Sequence, residues 1–109
     1  MYKFKSRAAA DLIMLEPNGQ KILSLIGKAS ATQPAKGILL PQEMPAAIAA
    51  LQAAIVAEEE ARARLMEEAK EKGEDAPKFE GISFKQRALP FIEMLTRCQK
   101  ADQEVVWGV

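Results

Sequence analysis

The chain has 109 residues, about half of them apolar, and its 15 basic and 15 acidic side chains cancel. That is enough chain for one domain with a core of its own, and the balanced composition excludes a disordered polypeptide. With no histidine and a single cysteine, Cys98, it lacks the usual general base, the Ser–His and Cys–His nucleophile pairs, the commonest transition-metal ligand and any internal disulfide.

No run approaches the roughly 18 uninterrupted apolar residues of a membrane span. No apolar stretch of secretory length follows the opening residues, so a leader is not expected. A lone cysteine fits a reducing compartment. The expectation is a cytoplasmic protein with no membrane association, no bound metal and no cofactor.

Tyr2, Lys3, Phe4, Lys5 and Ser6 alternate apolar and polar, the mark of a half-buried strand over residues 2–6 with Tyr2 and Phe4 inward. Residues 11–15 then form a continuous apolar run after Asp11. Without alternation they read as a more central strand, covered on both faces and antiparallel to the first. Asn18-Gly19 is both a hairpin signal and a helix N-cap signal. Ile22, Leu23 and Ile26 share a helical face, Gly27 suits a helix end, and Pro17 suits a start, which favours a helix over 18–26.

A polar connection with Pro34 leads to Gly37–Leu40, a short extended apolar piece tucked onto the core. Pro41 and Pro45 bracket the start of a long helix over 42–72, with Met44, Ile48, Leu51 and Ile55 as a heptad-spaced apolar seam. The seam meets Glu58 and Arg62 and stops. Beyond it, Glu58–Arg62, Glu60–Arg64 and Glu68–Lys72 are (i, i+4) pairs able to support a solvated helix. Residues 73–82 break the helix as a loop expected to be mobile.

Ser83 and Gln86 make a capping-box pattern opening a helix over 84–100, whose inner face is Phe84, Ala88, Phe91, Ile92, Leu95 and Cys98. Pro90 lies inside it. An interior proline costs about 3 kcal/mol, while each buried large side chain returns about 1.5–3 kcal/mol, so a kinked but continuous helix is expected. Residues 104–107, β-branched and aromatic, form a closing strand. The fold class is therefore α+β: a small antiparallel three-stranded sheet in the order β-β-α-α-α-β, helices packed on one face, and one long, partly solvent-exposed helix.

Charge is unevenly spread. Residues 1–57 hold six basic against three acidic groups, and residues 58–75 hold four against eight. The acidic cluster from Glu58 to Glu68 points around its helix and is a solvated face rather than a cation site. Gly27-Lys28 is placed like the end of a phosphate-binding loop, but Ile22 and Ala29 stand where that motif needs glycine and Ser or Thr. Cys98, on the inner stripe, reads as a small core hydrophobe.

The segments Tyr2–Ser6, Ile22–Lys28, Pro45–Leu51, Gln86–Leu95 and Val105–Val109 resemble, in order and over essentially the whole chain, the small bacterial family called domain of unknown function 1840. The resemblance implies a proteobacterial cytosolic protein. It brings no assigned activity and no functional residues.

No catalytic, cofactor-binding or metal-ligating constellation emerges. The leading expectation is a non-enzymatic interaction or structural module whose partner is another protein or a second copy. The seam Met44, Ile48, Leu51 and Ile55 reads first as core and second as the self-association face of a homodimer joined by the long helices. The alternative is binding of nucleic acid or another polyanion through Lys85, Arg87, Arg97 and Lys100 with the lysines of the first strand, disfavoured by the neutral total. A small-ligand protein or enzyme, working through Asp11, Glu16, Glu93, Tyr2 or Arg87, stands third.

Overall fold

Alternation at the start of the chain becomes strand β1 (Tyr2–Phe4), with Tyr2 and Phe4 buried and Lys3 exposed. The computed structural model describes residues 1–28, 36–75 and 83–108. β1 pairs antiparallel with β2 (Leu12–Met14), Lys3 facing Ile13 across the ladder. The strand stops early because the chain turns: Ser6 Oγ accepts the Ala8 N–H at 3.3 Å, a hydroxyl turn in place of further ladder.

The three-stranded sheet is corrected to two two-stranded ladders. The closing strand β4 (Val105–Trp107) pairs antiparallel with β3 (Gly37–Leu39), the segment read only as an extended piece. One reciprocal pair of backbone hydrogen bonds, Lys5 to Val106 at 2.8 and 2.9 Å, joins the ladders. β2 is accordingly an edge strand, not a central one. Ile13 and Leu15 are both 58% exposed while Met14 is buried, so its apolar run is covered on one face only.

Helix α1 (Glu16–Leu25) begins two residues earlier than the sequence reading, with Leu15 as N-cap and Pro17 in the first turn. Asn18 is thus inside the helix. Its C-terminus closes as expected at Gly27, whose φ of +76° lets the Lys28 N–H reach the Leu23 carbonyl at 2.7 Å, a Schellman-type end. The connection and loop expected at 28–36 and 73–82 lie largely outside the described residues, as do Ala29 and Ser30.

A 3₁₀ turn (Pro41–Glu43) leads into the long helix. Glu43 accepts the Leu40 N–H at 3.0 Å and pairs with Lys28 Nζ at 2.7 Å. The hydrogen bond from Lys28 is the main reason its carboxyl titrates below the ordinary value. Helix α2 (Met44–Glu71) has 28 residues, about 42 Å at 1.5 Å per residue. Beyond Ile55 the sole buried residue described on it is Ala69, so its far half projects from the body. This accounts for a molecule 52 × 30 × 22 Å in extent.

Helix α3 (Phe84–Lys100) packs along α2. Its capping box forms: Ser83 Oγ accepts the Gln86 N–H at 3.3 Å, and Gln86 Oε1 accepts the Ser83 N–H at 3.1 Å. Pro90 faces solvent within an unbroken helix, while Phe84, Ala88, Phe91, Ile92, Met94, Leu95 and Cys98 are buried. Asp102, at φ 55°, ends α3 in the left-handed region and sends the chain into β4.

Phe4 is the hub of the core. Its ring lies 4.8 Å from Phe91, 5.7 Å from Trp107 and 6.1 Å from Tyr2, so one strand residue touches the other ladder and α3 together. Cys98 is fully buried, with Sγ 3.1 Å from Ser6 Oγ.

Candidate functional site

Of the two readings of the apolar seam of α2, core and self-association face, the structure carries the first. Met44 and Leu51 have no solvent exposure, Ile55 has 8%, and Ile48 packs half-buried against the same core. A short chain with three-residue strands needs that apolar face to roof its own sheets. These side chains pack inside the chain, as the core reading of the seam expects.

The basic residues of α3 do not converge. Lys85 pairs with Glu59 of α2 at 3.4 Å. Arg97 and Lys100 border a shallow surface with Ile92, Glu93 and Thr96 near the C-terminal end of the helix. Ten residues separate Arg87 from Arg97, about 15 Å along the axis. The residues considered for chemistry are equally dispersed. Tyr2 is buried against Gly19, Glu16 sits 3.7 Å from the terminal amine, and Asp11 pairs with Lys3 at 3.6 Å.

Arg87 instead belongs to a cleft of about 200 Å³ where α1, α2 and α3 meet, lined by Asn18, Lys21, Ile22, Glu58, Arg62, Phe84 and Arg87. Each helix places its contribution for a local reason. On α1, Ile22 is buried, and Asn18 and Lys21, one turn and one residue before it, border the gap. On α2, Glu58 and Arg62 fall at the two heptad positions after Ile55, so they face the neighbouring helix where an apolar residue would stand. On α3, the box at Ser83 fixes the first turn, which brings Phe84 inward and leaves Arg87 one turn on.

The geometry is electrostatic. Glu58 Oε1 accepts the Phe84 N–H at 3.1 Å and lies 3.4 Å from Arg62 Nη2. A carboxylate at a helix N-terminus satisfies an orphan amide and meets the positive end of the helix dipole. Lys21 Nζ stands 4.6 Å from the centroid of the Phe84 ring, a cation–π contact. Arg87 is half-buried, and its guanidinium has neither ion pair nor hydrogen bond among the described residues. Among the described residues, three cations thus line the cleft against one carboxylate, an excess of positive charge in a concavity of lowered dielectric.

Among the described residues there is no group of three or more His, Cys, Asp or Glu placed to hold a metal, and no helix long and apolar enough to cross a membrane. The family model for Domain of unknown function (DUF1840) matches residues 1–107. The chain belongs to this family. No curated protein and no solved structure matches it.

Sequence reasoning singled out Arg87 with Lys85, Arg97 and Lys100, which the structure does not bring together, and it did not group Arg87 with Lys21, Glu58 and Arg62. The signal was available: Glu58 and Arg62 take the two heptad positions directly after Ile55, where the apolar seam stops. Polar residues at seam positions mark a place where a helix meets something polar.

Proposed function

We propose that this DUF1840 chain is a non-catalytic binding module that receives an anionic group in the cleft between α1, α2 and α3. The observation that carries the reading is the charge imbalance, centred on Arg87: a half-buried guanidinium without a counter-ion among the described residues. A group of that kind is stabilised when a ligand brings the missing acceptor, because charge-assisted bonds to arginine are the strong ones. The cleft has no histidine or cysteine, and its one carboxylate is engaged with a backbone amide and an arginine, which favours binding over turnover. A cytoplasmic setting is part of the same reading, supported by the single, buried thiol.

The test is a titration of the whole chain with inorganic phosphate at low ionic strength, followed by amide chemical shifts. The expected result is saturable movement of resonances around Asn18, Lys21, Glu58 and Phe84. Arg87→Ala should weaken binding by about tenfold or more, the loss of a charged hydrogen bond. Identical spectra with phosphate and with matched chloride would sink the reading.

A further inference from the structure

The cleft already contains an anion of its own. Glu58 holds the Phe84 amide and one arginine, at 3.1 and 3.4 Å, two of the groups an incoming anion would seek. We infer that this resident carboxylate makes the cleft selective for a dianionic phosphoryl group, that of a small phosphate monoester, over a carboxylate. The inference rests on the anion-binding reading above.

The reasoning is competitive. A ligand carboxylate offers the same charge and the same two oxygens as Glu58, but Glu58 is tethered and loses no translational freedom. Exchanging one for the other gains nothing. A phosphate monoester brings a charge near −2 and three strong acceptor oxygens at neutral pH. It can therefore answer Lys21 and Arg87, which form no ion pair with Glu58, and still compete for Arg62. A phosphodiester has one negative charge per phosphate and falls with the carboxylates, which separates a small monoester from nucleic acid.

Among the described residues, the charged groups bordering the site are Lys21 from α1, Glu58 and Arg62 from α2, and Arg87 from α3, with Lys85 nearby paired to Glu59. None is a histidine, so the ligand's own second ionisation, with a pKa of about 6 in a phosphate monoester and somewhat higher in inorganic phosphate, is what makes binding weaken as the ligand passes from dianion to monoanion.

Three probes decide it on the intact chain: inorganic phosphate, acetate and a short oligothymidylate, each titrated by amide shifts into the wild type and into Glu58→Gln. Glutamine keeps an oxygen for the Phe84 N–H and removes the charge. The wild type is expected to bind phosphate at least about tenfold more tightly than acetate, in line with the doubled charge, and more tightly than oligothymidylate per phosphate. In Glu58→Gln the preference over acetate should shrink to about threefold or less, because acetate no longer competes with a tethered equal.

Equal binding of phosphate and acetate by the wild type overturns the selector. So does tighter oligothymidylate binding, or a ratio unmoved in the variant. Absence of any anion response is a different result, and it removes the cleft reading itself. Should the variant fail to fold, the wild type alone decides. Phosphate binding must weaken several-fold from about pH 7.5 to about pH 5.5, and a flat profile overturns the proposal.

Discussion

Replacing Phe4 by alanine is expected to lower the free energy of unfolding by about 3–5 kcal/mol, the range for emptying a buried phenylalanine site. The site is a junction, not one wall of a larger core. Phe4 is fully buried and in ring contact with Tyr2 on its own strand, Trp107 on the other ladder and Phe91 on α3. Among the described residues the two ladders share a single backbone bridge, at Lys5 and Val106, so hydrogen bonding does little to hold them together. The aromatic contacts do that work, each tilted or stacked pair adding about 0.5–1.5 kcal/mol beyond its area. Because a domain of this size is stable by only about 5–15 kcal/mol, the variant should sit close to the limit of folding. Urea unfolding measures it directly, with Leu89→Ala, at a 41% exposed site on α3, as a control expected to stay within about 0.5 kcal/mol of the wild type. A loss for Phe4→Ala below about 1 kcal/mol would show that the two ladders are held by something other than this ring.

Much of this architecture was legible in the residues. Where the pattern was long and periodic it read correctly: the heptad stripe of α3 is buried position for position, and Pro90 is tolerated because it lies on the solvent side. Where the elements are three residues long, periodicity had too little to work with. Gly37–Leu39 has one glycine and two apolar residues and no alternation that distinguishes a strand from a tucked loop. Its pairing is decided by Trp107 and Val105, almost seventy positions away. Asn18-Gly19 shows a different limit. The dipeptide carries turn and cap signals, yet Gly19 is helical and buried, with the Tyr2 ring lying where a side chain would begin. The glycine answers a close approach that no local pattern encodes. The candidate cleft was hidden for the same reason, since it takes one turn from each of three helices and, of the candidate contacts read from the sequence, only Arg87 lines it.

Gly37 gives the second large effect, and for an unusual reason. Its backbone is not among those in the left-handed region, which among the described residues are Gly27, Gly73, Gly108 and Asp102, so alanine is conformationally acceptable there and would ordinarily be mildly preferred in a strand. The obstacle is the indole. Gly37 is paired directly with Trp107, and a Cβ at position 37 would run into Cζ2, Cε2 and Nε1 of that ring. Trp107 has no exposure and is backed by Phe4, so the ring has nowhere to move. Gly37→Ala should therefore destabilise by about 1–3 kcal/mol or more, the cost of overpacking a closed site. A double-mutant cycle isolates the cause. In a Trp107→Phe background the smaller ring leaves space, and the penalty for Gly37→Ala should shrink, giving a coupling of about 0.5–3 kcal/mol as for residues in direct contact. If the penalty were the same in both backgrounds, the glycine would be required by the backbone of β3 and not by the ring above it.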